Sequence, residues 1–293
     1  MSVLVEAPPI SRAGKTRPKR QRSPLGTALA YLAAVVIVAV TIVPLLFVAI
    51  GGFRTTPDIN AKPVGWPHPW VWTNYSDILG SSEFWRFLGN SALIAVVATT
   101  LAVTLGAMAT FALSRYTFRG REAFYSLFVV GLLLPLSAVS LPVYLVLRNL
   151  GMLETWYGIA IPEAAFSLPI TIVILRPFMH AIPGEIEDAA VVDGSSKLGF
   201  FWRILLPLSG PALATVAILA FVTSWNAYLL PLLVVNDQTH YTLPLGVANF
   251  QTQYSADTAR VLAFTALSML PALLFFLVAQ RRIVGGLTGA IKG

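Results

Sequence analysis

One polar segment between two hydrophobic stretches carries the residues best suited to a specific contact with another protein. It places Glu185, Glu187 and Asp188 close together, and Gly194 follows shortly after them. Acidic residues at the start of a short helix are stabilised by the helix dipole, and glycine favours the left-handed backbone that ends a helix. The spacing therefore predicts a short helix that stops at a turn on Gly194.

A second short helix is predicted directly after this turn. Ser195 or Ser196 is a suitable N-cap, because a serine hydroxyl accepts a hydrogen bond from a first-turn amide. Apolar residues then recur at helical intervals, namely Leu198, Phe201 or Trp202, and Leu205. These carboxylates have no nucleophile or metal partner, so the segment is a poor enzyme site. It is either a helical knob that fits a groove on another protein or an ordinary surface loop.

The chain around this segment has the composition of a membrane protein. It has 293 residues, of which 56% are hydrophobic and 11% charged, and its mean hydropathy is +0.75. Soluble domains carry about 25% charged residues. Cysteine is absent, and the three histidines, His68, His180 and His240, are scattered. These counts exclude disulfides and thiolate metal sites, and they predict no metal site in this chain.

Hydrophobic stretches predict an all-α, polytopic membrane protein with six transmembrane helices, because a spanning helix needs about 20 apolar residues. The six stretches are about 27–50, 88–113, 124–147, 157–179, 209–235 and 259–283. The predicted organisation is a disordered basic tail at 1–26, a first transmembrane helix at 27–50, an external loop at 51–87, a core transmembrane domain at 88–283 that includes a cytoplasmic loop at 181–208, and a C-terminal tail at 284–293.

Basic residues predict the orientation in the membrane. With six spans, fifteen of the twenty Lys and Arg residues fall on the side of the two termini and five on the other. Cytoplasmic loops are the more basic ones, so both termini are predicted to be cytoplasmic in the cell membrane. The basic residues are dispersed over several loops, which argues against nucleic-acid binding. Four tryptophans in the external loop indicate an interfacial aromatic belt or a docking surface for an external partner.

The polar segment closely resembles the EAA loop of ABC importer permeases. That loop has Glu-Ala-Ala, three residues, glycine, nine residues and Ile-x-Leu-Pro, and this chain reproduces the spacing with Asp in place of the usual Glu. The resemblance implies a coupling helix seated in a cleft of a cytoplasmic ATPase. The coupling residues that it implies are Glu187, Asp188, Ala189, Ala190, Asp193, Gly194, Ile204 and Pro207.

Further motifs over about 70–293 resemble carbohydrate importer permeases of the maltose-transport type. They include Thr73-Asn74-Tyr75, Trp225-Asn226-Ala227-Tyr228 and the closing Gly-Leu-Thr-Gly-Ala-Ile-Lys-Gly. The resemblance implies the bundle of a type I ABC importer, a second homologous permease subunit, a cytoplasmic ABC ATPase dimer and an extracytoplasmic solute-binding protein. It implies no cofactor in this chain, since ATP and Mg would be used by the partner ATPase, and no enzymatic activity of its own.

Polar residues within the spans are candidates for the transport pathway. Asn226 lies beside Trp225 and Tyr228, and a buried amide is costly unless it is paired. Asn226 therefore either makes an interhelical hydrogen bond or offers its amide to a sugar, with the aromatic rings stacking on the sugar ring. Asn90 is a further pathway candidate, although packing is the favoured interpretation there. Glu163 is expected to lie in the headgroup region, with the lining of an outer vestibule as the alternative.

Two other classes of function compete with an importer permease. An ion-driven secondary carrier needs ionisable residues deep in the membrane, and the predicted spans contain few of them. A membrane enzyme needs a catalytic constellation, which the sequence does not supply. Within the importer class, the resemblance does not name the sugar, and a non-sugar solute such as a glycerol phosphodiester stays open.

Overall fold

The computed structural model describes residues 24–251 and 256–290, and these residues form helices and short connections without a named strand. Most of the predicted basic tail and the last three residues lie outside them. The helices are α1 (Pro24–Gly51), α2 (Thr56–Ala61), α3 (Thr73–Gly80), α4 (Ser82–Arg115), α5 (Arg121–Gly131), α6 (Leu136–Asn149), α7 (Trp156–Ala181), α8 (Gly184–Val192), α9 (Lys197–Phe200), α10 (Leu206–Leu208), α11 (Gly210–Trp225), α12 (Leu229–Val234), α13 (Leu243–Gly246) and α14 (Thr258–Ala290). A π-helical turn, Phe201–Leu205, joins α9 to α10.

Four of the described helices, α1, α4, α7 and α14, are long and apolar enough to cross a membrane. Two bent pairs meet the same criterion together, and the total is six if each pair forms one span. The first pair is α5 and α6, which bend by 104°, and the second is the α9–α10 segment with α11, which bends by 80°. The predicted all-α fold is thus confirmed over the described residues, and the predicted number of six spans is reached when each bent pair is counted as one span.

The predicted third and fifth spans are each interrupted in the structure. Residues 132–135 separate α5 from α6, because Pro135 has no N–H to donate and disfavours helical backbone in the residue before it. Residues 226–228 separate α11 from α12, and Pro231 likewise cannot donate an amide hydrogen bond back to Ala227. The predicted C-terminal boundary at 283 also differs, since α14 continues to Ala290.

Small residues allow α4, α7 and α11 to pack closely at the centre of the bundle. Ala102 of α4, Ala164 of α7 and Ala220 of α11 are buried in one cluster. A Cβ added to Gly106 would lie 2.5 Å from Cγ2 of Thr171 on α7. Close approach over small residues is a common way of joining helices in a membrane, where apolar burial alone does not favour association.

Hydrogen bonds fasten the end of α1 to α3. Nδ2 of Asn74 donates to the carbonyls of Gly52 and Arg54, both at 2.9 Å, and the Tyr75 hydroxyl donates to the carbonyl of Ala49 at 2.6 Å. Arg54 is 2% exposed, and its guanidinium donates to Asp58 and to carbonyls at 58, 62 and 63. The Asn-Tyr pair, which the sequence singled out only by resemblance, therefore has a structural role at this junction.

Candidate functional site

The first short helix of the polar segment ends in a Schellman motif at the predicted glycine. Gly194 has a φ of 80°, in the left-handed region. Its amide donates to the carbonyl of Val191 at 3.0 Å, and the amide of Ser195 donates to the carbonyl of Ala190 at 2.8 Å. These two bonds satisfy carbonyls that the end of a helix leaves free. The predicted helix, α8, and its stop are confirmed.

The second helix begins at the predicted serine cap and buries one side. The Ser196 hydroxyl accepts a hydrogen bond from the amide of Gly199 at 3.1 Å. Phe200, Phe201 and Leu205 are almost fully buried, and they share one apolar cluster with Ala190 and with residues of α4 and α7. The polar segment is therefore packed onto the ends of α4 and α7 and is not a loose loop.

An exposed face remains on the polar segment after this packing. It combines apolar side chains that point away from the bundle, which are Ile186, Val191, Val192, Leu198 and Trp202. The acidic residues Asp188 and Asp193 and the methyl group of Ala189 are exposed as well. Glu187 and Ile204 are half-buried, while Pro207 is exposed at the start of α10. The two alanines of the motif thus differ, because Ala190 packs inward and Ala189 faces outward.

Arg115, the last residue of α4, holds the junction between α7 and the polar segment. The Nη2 nitrogen of Arg115 donates to the carbonyl of Met179 at 2.9 Å and to the carbonyl of Ile182 at 2.7 Å. Its Nη1 lies 3.9 Å from Oε2 of Glu187. A cation at the C-terminal end of a helix satisfies free carbonyls and complements the helix dipole. In the sequence Arg115 was visible only as one of the basic residues that set the orientation.

The predicted pathway residues differ in their exposure and in their hydrogen-bond partners. Trp225 is 4% exposed, its ring stacks on Phe221, and its Nε1 donates to the carbonyl of Ser268 on α14 at 3.2 Å. The Trp225 ring is therefore enclosed between helices in this conformation, and its stacking on a sugar stays a prediction. Tyr228, by contrast, is 47% exposed.

The two asparagines have different partners. Nδ2 of Asn226 donates to the carbonyl of Val222 in its own helix at 2.8 Å, so the predicted interhelical bond is not made by this group. Asn226 is exposed at the end of α11, where it stays a pathway candidate. Nδ2 of Asn90 donates to the carbonyls of Thr239 and Tyr241, both at 2.9 Å. The packing interpretation of Asn90 is thus supported, since it fixes a loop to α4.

Glu163 makes a contact that the sequence did not predict. It is 9% exposed on α7, and its Oε2 accepts a short hydrogen bond from the Ser224 hydroxyl on α11. The carboxyl group is enclosed by the protein, and its location at the depth of the headgroups stays a prediction. Glu163 and Ser224 both line a cavity of about 370 Å³ between α7 and α11. The pairing joins residues 61 positions apart, and no local sequence pattern reports such a contact.

The described helices carry a capped helix–turn–helix segment packed onto the ends of α4 and α7. The chain belongs to the family of binding-protein-dependent transport system inner membrane components, whose family model matches residues 102–285. As a member of this family it is a multi-pass membrane protein and the permease subunit of an ABC importer.

Several permease proteins are similar in sequence to most of this chain. The diacetylchitobiose uptake system permease protein NgcG of Streptomyces coelicolor is 31% identical over 251 residues, which are 85% of this chain and 83% of the relative. The arabinooligosaccharides transport system permease protein AraQ of Halalkalibacterium halodurans is 31% identical over 280 residues, 94% of this chain and 100% of the relative. The trehalose transport system permease protein SugB of Mycobacterium tuberculosis is 32% identical over 88% of this chain and 94% of the relative.

The fold is similar to that of a solved bacterial ABC transporter involved in the import of the acidic polysaccharide alginate. The match has a TM-score of 0.75 at 20% identity, and it covers 88% of this chain and 98% of the other. A second structure, of a bacterial alginate ABC transporter in complex with a pentasaccharide-bound periplasmic protein, matches with a TM-score of 0.57. At these identities the likeness concerns the fold alone.

Proposed function

We propose that this chain is one of two permease subunits of an ATP-driven importer for a sugar, which is a mono- or oligosaccharide or a polyol. The relatives described above are named for the uptake of diacetylchitobiose, arabinooligosaccharides and trehalose. These three relatives share similar sequence identity with this chain but are named for different sugars. They therefore support sugars as the class of cargo and do not single out one sugar.

The observation that carries the proposal is the anchored polar segment with its exposed face. In the proposal this segment, residues 181–208, sits in a cleft of a cytoplasmic ATPase. Asp188, Ala189, Asp193 and Gly194 lie at the contact, with the neighbouring apolar side chains of the exposed face, while Glu187 and Ala190 support it from the inner side. An apolar patch rimmed by acidic groups is typical of a protein–protein contact.

Energy enters through the partners in this proposal. The ATPase dimer binds ATP and Mg, and this chain performs no covalent chemistry. When the ATPase subunits move, they move the coupling segments of the two permeases. The membrane spans of the permeases then switch from one arrangement to the other. A solute-binding protein delivers the sugar from the extracytoplasmic side, where the residues between α1 and α4 face it.

Copurification and uptake test the proposal. The chain should be isolated with a second permease and an ATPase, and proteoliposomes with the loaded binding protein should accumulate sugar only when ATP is supplied to the ATPase side. Uptake driven by an ion gradient without ATP would contradict it and would favour the secondary carrier.

Single cysteines test the orientation, because the natural chain has none. A cysteine at position 65 should react with an impermeant reagent in intact cells, whereas cysteines at positions 10 and 290 should react only after lysis. The reverse pattern would place the termini outside the cell.

A further inference from the structure

The carboxyl group of Glu163 is only half-satisfied inside the protein. Oε2 accepts the hydrogen bond of Ser224, whereas Oε1 is buried and has no hydrogen-bond partner. A buried acceptor without a partner costs about 1–3 kcal/mol, so such groups are rare unless something else completes them. Glu163 lies two turns into α7, at the end of that helix away from the coupling segment.

The cavity beside Glu163 has the size and the mixed lining of a small-molecule site. Its volume of about 370 Å³ falls within the range of ligand pockets, roughly 300–1,000 Å³. Ser167, Thr223 and Ser224 line it together with Glu163 and Phe166, whose ring is partly exposed. Hydroxyl groups next to an aromatic ring match the polar edges and apolar faces of a sugar ring.

The charge of the lining restricts the sugar class. Among the described residues that line this cavity there is no Lys, Arg or His. An acidic saccharide, a sulfonate or a phosphodiester would place its anion in a low-dielectric cavity without a cation, beside a carboxyl group, and an unpaired buried charge is strongly unfavourable. An uncharged sugar meets no such penalty, because its hydroxyls donate to carboxyl and hydroxyl oxygens.

We propose that this cavity is a subsite for one unit of an uncharged sugar on its way through the membrane, with Glu163 as the acceptor that selects it. The inference rests on the proposed importer function. The carboxyl group accepts hydrogen bonds from the sugar hydroxyls, and Ser224 holds it when no sugar is present. Phe166 contacts the apolar face of the ring. The subsite therefore excludes acidic saccharides and phosphodiesters.

A purely structural role for Glu163 makes a different prediction. If the Glu163–Ser224 bond served only to join α7 to α11, removal of either side chain would have the same effect. If Glu163 accepts sugar hydroxyls, loss of Ser224 removes only the resting partner. The two variants then differ, and their comparison separates selection of cargo from helix packing.

The test uses the complete transporter in proteoliposomes, with its second permease, its ATPase and its binding protein. Wild-type uptake is first measured with radiolabelled diacetylchitobiose, trehalose and arabinotriose as neutral probes and an alginate trisaccharide as the acidic probe. Uptake of a neutral probe and none of the acidic one is expected. A wild type that carries the acidic probe overturns the subsite and leaves the sugar importer intact, whereas ATP-driven uptake of no sugar overturns the proposed function itself.

The variants are Glu163→Leu, Glu163→Gln and Ser224→Ala, with Thr110→Val as the matched control. Thr110 is fully buried on α4 and does not line the cavity. The readout is the amount of neutral sugar taken up per ATP hydrolysed, because this ratio changes only when cargo is lost from an otherwise working cycle. We expect it to fall about tenfold in Glu163→Leu, which corresponds to about 1.4 kcal/mol for the lost hydrogen bonding of the carboxyl group, and less in Glu163→Gln, which keeps one acceptor oxygen.

Ser224→Ala should lower the ratio less than Glu163→Leu does, because the carboxyl group stays available to the sugar, whereas Thr110→Val, which lies outside the cavity, should stay within about twofold of the wild type. Equal losses in Glu163→Leu and Ser224→Ala, or an unchanged ratio in Glu163→Leu, would overturn the subsite. If Glu163→Leu does not assemble, the isosteric Glu163→Gln variant takes its place. The sugar taken up per ATP hydrolysed is then compared between Glu163→Gln and Ser224→Ala.

Discussion

Arg115 on α4 donates to the carbonyl of Ile182 at 2.7 Å, across 67 positions of sequence. Through the same nitrogen it also reaches Met179 in the last turn of α7. The first residues of the coupling segment are therefore held by a side chain from a different membrane helix. This arrangement makes the start of the segment part of the bundle, and it underlies the first of four predictions.

Arg115→Met should loosen the coupling segment and lower ATP-driven uptake while the spans still insert. The apolar stem is kept, but two carbonyls lose their donor, at a cost of about 1–3 kcal/mol. Amides over 183–194 should exchange with solvent about tenfold faster, a factor that corresponds to about 1.4 kcal/mol. The matched control is Arg121→Met, which removes a cation that pairs with Glu122 outside this junction. Similar exchange in the two variants would contradict the anchoring role.

Gly194→Val should misplace the coupling segment without affecting insertion. The position has open space around it, so the penalty comes from the backbone alone. A left-handed residue other than glycine costs roughly 1–2 kcal/mol, and a β-branched residue is the least tolerated.

The matched variant for this position is Gly194→Asn, since asparagine adopts the left-handed region more readily. Cross-linking from residues 188–198 to the ATPase should be strong in the wild type, retained in the asparagine variant and lost in the valine variant. Full transport by the valine variant, or no cross-links in the wild type, would refute the coupling assignment.

Gly106→Ala should destabilise the contact between α4 and α7, and Thr171→Ser should rescue it. The new Cβ would lie 2.5 Å from Cγ2 of Thr171, and serine lacks that methyl group. Serine keeps the hydroxyl that donates to the carbonyl of Ser167 at 2.8 Å. Overpacking typically costs about 1–3 kcal/mol. Thermal unfolding of the detergent-solubilised complex measures the effect, and failure of the double variant to recover would show that another contact is responsible.

Asn226→Leu and Trp225→Ala should affect different properties of the transporter. Asn226 is exposed and bonded within its own helix, so the leucine variant should lower transport and leave assembly and basal ATPase activity largely intact. Trp225 is buried against α14, and its truncation should cost about 3–5 kcal/mol and reduce the yield of assembled complex. Loss of assembly in the leucine variant would instead assign Asn226 to packing.

Local features were predictable from the sequence to a large extent. The turn at Gly194 and the cap at Ser196 depend on residues within five positions, and both are present as predicted. The break between α5 and α6 at Pro135 was not predicted, because proline bends some membrane helices and interrupts others. Which of these occurs depends on neighbours that the sequence does not identify.

Contacts between distant residues explain most of what could not be predicted. Glu163 and Ser224 are ordinary residues in their own helices, and only the packing of α7 on α11 brings them together. Trp225 was assigned to the pathway because it adjoins Asn226 in the chain. Neighbouring helical residues point about 100° apart, and here one faces α14 while the other is exposed.

The π-helical turn at Phe201–Leu205 is seated in the bundle through two of its side chains, Phe201 and Leu205. A close-packed interior is nearly incompressible. Under the proposed coupling, the segment therefore moves as one stiff unit, because a push on its exposed residues must shift the ends of α4 and α7 with it. In that proposal little of a displacement is absorbed within the segment, and the movement of the ATPase reaches the two helices undiminished.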